Sequence, residues 1–231
     1  MTADPNFAHI AALIGEPARA AMLAVVLGGR AIAASELAHC AGVSPQTASA
    51  HLAQLVEGGL LNVTTSGRHR YYRLASPQVA QVLETLSAIA PSAQVRSLRQ
   101  SDRAQSVRFA RTCYDHLAGV VGVALTERML ERGQIVQVEQ TYRIGEEGID
   151  WLGRHGLDPE HVLHSRRPQA RACLDWSERR DHLAGAFGAL MAGWLLDQGW
   201  IERVAGSRAV RLTGAGRAGF LREWNLQFDG A

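Results

Sequence analysis

The chain has 231 residues, 47% of them hydrophobic and 20% charged, a composition typical of a globular protein with one large or two small domains. All 24 basic residues are arginine, so chemistry that requires a lysine, such as Schiff-base formation or phosphate binding by a P-loop, is excluded. No apolar run reaches the roughly 20 residues of a membrane-spanning helix, no signal peptide is evident, and three scattered cysteines are too few for a disulfide framework, which together predict a cytoplasmic protein that does not contact a membrane.

The first third of the chain predicts a helix-turn-helix. The stretch "EPARAAMLAVVLGG" (16–29) has apolar residues at helical spacing and ends in a glycine pair. In "SELAHCAG" (35–42), Ser35 is expected to cap a short helix that Gly42 ends. In "VSPQTASAHLAQLVEGGL" (43–60), Ser44 is expected to cap a second helix and Pro45 fits its first turn. Two short helices joined by a tight turn form a helix-turn-helix.

The second of these helices has two chemically different faces. Ala48, Leu52 and Leu55 follow the spacing of a buried stripe. The other face is uncharged and carries donors and acceptors that can read base edges in a major groove, whereas a merely solvated face more often carries Glu and Arg. An ordinary polar helix face is the alternative interpretation. The residues expected to read DNA are Ser44, Gln46, Thr47, His51 and Gln54.

A β-hairpin is predicted directly after this helix, in "LLNVTTSGRHRYYRLA" (60–75). Leu61–Thr64 and Tyr71–Leu74 are strand-like, with Ser66-Gly67 at the turn. A basic hairpin after a recognition helix is a wing, and its arginines suit backbone phosphates or a narrow minor groove. The residues expected at its tip are Arg68, His69 and Arg70.

From Glu16 to Leu74 the chain resembles the ArsR/SmtB family of winged-helix transcriptional repressors, in the pieces "GEPARAAML", "SELAHCAGVSPQTASAHLAQLVEGGLL" and "GRHRYYRLA". The resemblance implies a homodimer that binds a palindromic operator in double-stranded DNA and releases it when an effector binds. It also implies that a helix on each side of the winged helix forms the dimer. Here these would be Asn6–Ile14 and 76–90, the second with an apolar stripe of Val79, Val82, Leu83 and Leu86.

The metal sites familiar from that family are missing. The Cys-x-Cys of arsenite- and cadmium-sensing members falls on Ala33 and Ser35, and the dimer helix 76–90 contains neither the Asp nor the His of zinc-sensing members. Cys40 lies on the apolar side of a short helix and is expected to be a small buried residue. An effector is therefore expected to bind elsewhere in the chain.

Charge and repetition divide the remainder. Residues 91–111 carry five Arg against one Asp and predict a basic linker helix, either solvated or in contact with phosphates. In 112–231, "DHLAG" occurs at Asp115 and again at Asp181, and each copy is expected to open a helix rich in Gly and Ala. Strand, strand and helix patterns follow each copy.

The fold predicted as a whole is mainly α with small β-hairpins (α+β). It has three parts: a winged helix-turn-helix DNA-binding and dimerisation domain (1–90), the linker, and a two-lobed winged-helix-like domain that senses or dimerises (112–231). The internal repeat is placed at 115–153 and 181–221. The two glycine-faced helices are expected to cross at a pseudo-twofold axis, because interior glycines suit close backbone approach.

The repeat suggests a metal or redox site. Cys113 and His116 are spaced i, i+3, as on one helix face, and the repeat makes His116 equivalent to His182, which follows Cys173. Two Cys and two His could form a tetrahedral zinc-type site or a thiol redox pair. The alternative is that both cysteines are core residues and both histidines hydrogen-bond where the helices cross.

A small organic effector is the other possibility, since all five tryptophans follow residue 150. The candidate residues for it are Trp176, Arg179, Tyr114 and Trp194. No catalytic residue is proposed: "GAGRAG" (214–219) matches a dinucleotide-binding pattern, but the chain ends twelve residues later, so no enzyme is expected. A sequence-specific regulator, and specifically a repressor, is the expected function; a winged-helix protein-interaction module with an attached sensing domain and no specific DNA target is the alternative.

Overall fold

The computed structural model describes residues 4–91 and 97–228, which form two compact units. The first unit runs to Thr85 and includes the short segment Ala205–Arg208. The second comprises Leu86–Val204 and the chain from Ala209 onward. The boundary falls inside a helix, and the part of the predicted linker at 92–96 lies outside the described residues.

The first unit has the winged helix-turn-helix that the sequence predicts. Its antiparallel sheet has the strand order β1-β3-β2. Within the described residues, no single helix is both long and apolar enough to cross a membrane. The helices Phe7–Ile14 and Pro17–Val26 reach that length only together, and the chain bends by 86° between them. In chain order the elements are α1 (Phe7–Ile14), α2 (Pro17–Val26), β1 (Ile32–Ala33), α3 (Ala34–Ala41), α4 (Pro45–Glu57), β2 (Leu61–Ser66), β3 (His69–Leu74) and α5 (Pro77–Ile89).

Local capping explains most helix ends in this unit. Ser44 accepts a hydrogen bond from the Thr47 amide at 3.1 Å, and Pro45 occupies the first turn of α4. Gly42 ends α3 in the left-handed conformation, at φ 67°. The prediction for Ser35 is wrong: Ala33 is the N-cap of α3 and provides no side-chain hydrogen bond. The helix begins two residues earlier than predicted because Ile32–Ala33 pairs with the wing and is in an extended conformation up to the start of the helix.

After α5, the described residues of the second unit form helices separated by short antiparallel hairpins. In chain order they are α6 (Leu98–Phe109), β4 (Arg111–Cys113), β5 (His116–Ala118), α7 (Gly119–Glu131), β6 (Ile135–Val138), β7 (Thr141–Ile144), α8 (Glu146–Arg154), α9 (Glu160–Leu163), β8 (Arg171–Leu174), β9 (Asp181–Ala184), α10 (Gly185–Asp197), β10 (Ile201–Arg203), β11 (Val210–Leu212) and α11 (Gly214–Trp224). The mixed α+β class is thereby confirmed.

The order hairpin, helix, hairpin, helix occurs twice in this unit, in the elements β4 to α8 and β8 to α11. The predicted role of the "DHLAG" copies needs correction, because only the final residue of each copy, a glycine, belongs to the helix. The residues before it form β5 and β9. Gly119 and Gly185 turn the chain from strand to helix with φ values of 82° and 88°, a region where a side chain would be strained.

The interior glycines face strands, and not a crossing helix as predicted. A Cβ at Gly122 would lie 2.6 Å from the Leu117 carbonyl oxygen, and one at Gly188 would lie 2.5 Å from that of Leu183. Each long helix also packs on the other copy: α10 against β5, and α7 against β9. The glycines therefore bring the two inner strands, β5 and β9, close to the helices on either side of them.

A single apolar core is shared by both copies. Four tryptophans lie at its centre, with ring centroids 5.0 Å apart for Trp151 and Trp194 and 4.8 Å apart for Trp194 and Trp200.

The predicted basic linker is corrected here: α6 packs on α7 and β4, and Arg111 is a strand residue with no exposed surface. The Arg111 guanidinium is thus unavailable to phosphates.

Candidate metal centre and nucleic-acid interface

The helix α4 presents an uncharged surface. Gln46 and Thr47 are exposed in its first turn, whereas Ala48, Leu52 and Leu55 are buried as predicted. The Ser44 hydroxyl lies 2.9 Å from that of Thr47 while it caps the helix. The groups that can meet base edges from the start of this helix are therefore amides and hydroxyls.

Two of the predicted DNA-reading residues also have partners within the unit. Arg19 of α2 donates a hydrogen bond of 2.7 Å to the Gln54 side-chain oxygen and lies 3.4 Å from His51 Nδ1. His51 is half-buried and also lies 3.7 Å from Glu16. These contacts connect the second half of α4 to the start of α2. Gln46 and Thr47 are left as the residues most available to a ligand.

The wing is longer than the sequence predicts. The strands extend to Ser66 and His69, which pair with each other, so Gly67 and Arg68 form the turn. Gly67 has φ 57°, a conformation that favours glycine. Arg68, His69 and Arg70 are all exposed at this end of the hairpin. The predicted basic tip is therefore present and accessible.

In the second unit, the two hairpins β4–β5 and β8–β9 bring the four predicted Cys and His residues together. Cys113 pairs with His116 across one hairpin, and Cys173 pairs with His182 across the other. The predicted i, i+3 helical spacing is therefore wrong for Cys113 and His116: Tyr114 adopts φ 59° and turns the chain, which leaves the two side chains opposite each other on adjacent strands.

The ligand atoms of these four residues form a compact cluster, called here the Cys2His2 centre. All four lie within 4.8 Å of one another. The two Sγ atoms are 4.0 Å apart and the two Nε2 atoms are 3.2 Å apart. A tetrahedral zinc ion with Zn–S of about 2.3 Å and Zn–N of about 2.0 Å has S···S edges of about 3.8 Å and N···N edges of about 3.3 Å. The centre has the size of such a site.

Each histidine has a carboxylate behind it. His116 Nδ1 lies 3.1 Å from Asp115 Oδ1, and His182 Nδ1 lies 3.2 Å from Asp175 Oδ2, although the His182 N–H is not aligned for a hydrogen bond. A carboxylate at Nδ1 favours the tautomer whose Nε2 lone pair is free, and both Nε2 atoms face the centre. This arrangement is typical of histidines that bind a metal ion.

The Asp175 carboxylate is fully buried and held on several sides. Arg111 donates to Oδ1 at 2.8 Å, and the Gly119 amide donates to Oδ2 at 2.7 Å. Burial alone would raise the pKa of Asp175, but His182, Arg111 and that amide hold it well below its usual range. Asp115 is less enclosed: burial opposes its charge, while His116 and Arg167 lower its pKa.

The ligands themselves are electrostatically linked. The neighbouring Cys113 thiol and the two histidines hold the pKa of Cys173 far below its usual value, against the effect of burial. Burial opposes a charge on His182, but Asp175 and Cys173 outweigh it and raise the pKa of that imidazole. The centre is therefore built around a thiolate, which is the form that binds metal ions.

The residues proposed for an organic effector have different surroundings. Trp194 is buried in the tryptophan cluster, and Trp176 lies under Arg111, whose Cζ is 4.4 Å from its ring centroid. Arg179 is exposed and donates to the Ala88 carbonyl, while Tyr114 forms the turn of the first hairpin. A cavity of about 310 Å³ is lined by Trp194 together with Leu157, Leu190, small residues and several polar or charged side chains, and Trp176, Arg179 and Tyr114 are not among its lining residues.

Sequence reasoning missed Asp175, Asp115 and Arg111. A longer repeat was available as a signal: "ARTC" (110–113) and "ARAC" (170–173) precede the two "DHLAG" copies, so each copy begins with Ala-Arg-x-Cys. The second copy has seven residues between the cysteine and the Asp-His pair where the first has one. That longer loop contains Asp175, which takes the position behind His182 while Asp181 is exposed.

Comparisons with known proteins support the helix-turn-helix assignment of the first unit. Residues 14–64 match the family described as "Helix-turn-helix domain". The HTH-type transcriptional regulator YdfF of Bacillus subtilis (strain 168) is 42% identical over 224 residues, which are 97% of this chain and 99% of the relative. The likeness to YdfF thus includes the second unit.

Solved structures resemble a smaller part of the chain. NolR from Sinorhizobium fredii is 27% identical, with a TM-score of 0.34, over 37% of this chain and 85% of its own. The homodimeric winged helix-turn-helix DNA-binding domain of Mb0332 from Mycobacterium bovis is 25% identical, with a TM-score of 0.34, over 38% of this chain and 89% of its own. The cadmium sensor CMTR from Mycobacterium tuberculosis is 26% identical, with a TM-score of 0.32, over 39% of this chain and 94% of its own.

Proposed function

The chain belongs to the HTH-type transcriptional regulators, with a winged helix-turn-helix of the ArsR/SmtB type, and we propose that it is a homodimeric repressor that responds to a metal ion. The winged helix would bind a palindromic operator, and the Cys2His2 centre of the second unit would be the effector site. The observation that supports this most directly is the convergence of two thiols and two imidazoles at the separations of a tetrahedral metal site.

The DNA-binding part of the proposal uses α4 and the wing. The exposed side chains Gln46 and Thr47 would read bases in the major groove, with Ser44 at the helix start. Arg68 and Arg70 would contact phosphates or the minor groove, and His69 lies beside them. His51 and Gln54 have partners in Arg19, so we assign them a supporting contribution to DNA reading.

The proposed dimer would use the helices on either side of the winged helix. Phe7 of α1 is 78% exposed and Ile89 of α5 is 77% exposed. Val82 and Leu86 of α5 are exposed as well, whereas Leu83 is buried. Apolar side chains of this size favour burial against a second copy. Two copies would then place two α4 helices about one turn of DNA apart.

Zinc is the metal that suits the centre best. Two thiolates with two imidazoles in a tetrahedron are typical of Zn²⁺, and a site with four protein ligands has no open position for a substrate. Bound zinc would link the strand pairs of both repeat copies. A zinc-loaded and a metal-free second unit would therefore differ in the stability of the contact between the hairpins.

The proposal is tested in two arms with the full chain. In the first arm, Co²⁺ is added under reducing conditions as a spectroscopic substitute for zinc, and Zn²⁺ then displaces it; we expect one ion per chain with the visible bands of tetrahedral thiolate ligation. Cys113→Ser and His182→Gln should abolish those bands. Cys40→Ser and His161→Gln, which lie outside the centre, should retain them.

In the second arm, fluorescence anisotropy measures binding to DNA from upstream of the protein's own gene over a salt series, with and without zinc. We expect salt-dependent binding about 10³-fold or more tighter than to random DNA. Zinc should change the operator affinity by about 5- to 150-fold, the usual range of coupling between two sites. Equally weak binding to every DNA would contradict the regulator proposal and favour a protein-interaction module.

A further inference from the structure

We infer that the Cys113–Cys173 thiol pair is also a reversible redox switch, in which a hydroperoxide oxidises the pair to a disulfide and the metal ion is expelled. This inference rests on the metal centre of the proposed function and adds a second input to the same site. It is carried by the position of the two sulfurs: 60 residues separate them in sequence, yet their Sγ atoms lie 4.0 Å apart.

The two cysteines differ in access, which assigns their roles. Cys113 is buried, with 2% of its surface exposed, whereas Cys173 is half-buried and precedes the exposed Leu174 at the end of β8. A small oxidant therefore reaches Cys173 first. Cys113 then lies within a short side-chain movement of the oxidised sulfur. The remaining cysteine, Cys40, belongs to the first unit and can serve as an internal control.

The chemistry balances with a hydroperoxide as the only added reactant. The Cys173 thiolate attacks the peroxide, the O–O bond breaks, and Cys173 becomes a sulfenic acid while hydroxide takes a proton to give water. The Cys113 thiolate then attacks the Cys173 sulfur, the S–O bond breaks, and a second hydroxide is protonated. Two thiolates lose two electrons in total, and one hydrogen peroxide with two protons gives two molecules of water.

Disulfide formation and metal binding exclude each other. The two sulfurs must approach from 4.0 Å to about 2.05 Å, and the neutral disulfide sulfurs that result no longer carry the thiolate charge that binds the ion. Only His116 and His182 then remain as ligands, which is half of the set that a structural zinc ion requires. The ion would leave as the aquated cation.

The test treats the zinc-loaded, reduced full chain with one equivalent of hydrogen peroxide. Three quantities are followed: zinc release by a chromophoric chelator, free thiols, and the mass of the peptides containing Cys113 and Cys173. We expect stoichiometric zinc release, loss of two thiols and a Cys113–Cys173 disulfide, all reversed by a phosphine reductant and fresh zinc. Cys40→Ser should behave identically.

Cys113→Ser separates the two steps, because it removes the thiol that resolves the intermediate. In that variant a 1,3-diketone reagent should trap a sulfenic acid at Cys173, and it should trap far less in the wild-type chain. Retention of zinc while peroxide is consumed, or zinc release with a sulfinic acid at Cys173 and no disulfide, would overturn the inference.

The same peroxide experiment on metal-free chain distinguishes this inference from the proposed function. If the protein binds no zinc but forms the Cys113–Cys173 disulfide, the metal proposal and the expulsion step fail, and only the redox reaction of the thiol pair stands. If it binds zinc and regulates DNA but forms no disulfide with or without the ion, the switch fails and the proposed function stands.

Discussion

His116 and His182 face each other with their Nε2 atoms 3.2 Å apart, although 66 residues separate them in the chain. Each is the second residue of a "DHLAG" copy, and the pseudo-symmetry of the repeat places the two rings on adjacent inner strands. In the metal-free protein, one of the two Nε2 atoms can donate a proton to the other. If an ion binds as proposed, both lone pairs would be directed to it, and the carboxylates at Nδ1 would keep the rings oriented.

Asp175→Asn is expected to destabilise the second unit by about 3–5 kcal/mol, because it leaves the Arg111 charge buried without its partner. Chemical denaturation measures the change in the free energy of unfolding. Glu178→Gln is the matched control: its partner Arg108 is largely exposed, so breaking that pair should cost less than about 1 kcal/mol. Equal losses for the two variants would argue against a structural role of the buried pair.

Gly188→Ala is expected to destabilise the protein by about 1–3 kcal/mol and to weaken zinc binding. The added Cβ would lie 2.5 Å from the Leu183 carbonyl oxygen and 3.3 Å from the Cβ of His116, so a ligand strand has to move. Gly193→Ala in the same helix meets no atom within 4 Å and should instead stabilise it by about 1 kcal/mol. Thermal unfolding and competition with a zinc chelator provide the two readouts.

Gln46→Ala is expected to lower operator affinity by about 1–3 kcal/mol and to relax the sequence preference, since a bidentate base contact would be lost. Competition between operator and random DNA measures both effects. Glu57→Ala, at the far end of the same helix, should leave the preference intact. Unchanged affinity and preference in Gln46→Ala would mean that α4 enters the groove in another orientation.

Arg70→Ala is expected to weaken binding to every DNA sequence about equally and to reduce the slope of log K against log salt by about 1, as for the loss of one phosphate contact. The measurement is anisotropy over a salt series with operator and random DNA. Arg154→Ala in the second unit is the charge-matched control and should leave the slope unchanged. A selective loss on operator DNA alone would assign Arg70 to base reading.

Acidification should remove the contribution of Glu16 to helix stability. Its carboxylate accepts a hydrogen bond from the Arg19 amide at the start of α2, and this bond lowers its pKa in the folded state. A lowered folded pKa means that the stabilisation is present above the unfolded value of about 4.3 and is lost as the pH falls through the folded value. The difference in unfolding midpoint between wild type and Glu16→Gln should therefore shrink from neutral pH to below pH 4.

The winged helix could be predicted from sequence because its signals are local. Ser44, Pro45 and Gly42 act within one turn of their own positions, and the buried stripe of α4 follows helical periodicity. Strands of three residues have no such periodicity. The sequence pattern from Arg111 to Ala118 therefore predicts linker and helix, with Cys113 and His116 on a helix face, where the structure has two short strands.

The site could be predicted only where the repeat gave a long-range relation. Equivalence of the two "DHLAG" copies links His116 to His182, and it extends to Cys113 and Cys173, which precede them in the chain. Asp175 has no equivalent in the first copy, and its partner Arg111 is 64 residues away. Nothing local distinguishes this buried aspartate from an exposed loop acid, or Arg111 from the other arginines of a basic segment.

The pairing within each hairpin also bears on how the second unit folds. Cys113 and His116, like Cys173 and His182, meet through short local turns, whereas the contact between the two pairs spans about 60 residues. Closing a loop of that length with a crosslink removes about 4 kcal/mol of chain entropy from the unfolded state. With metal binding as proposed, either hairpin alone would offer the ion two ligands, and the bound ion would then favour contact with the other hairpin. The stage of folding at which the ion binds would thus set the rate at which the two repeat copies assemble.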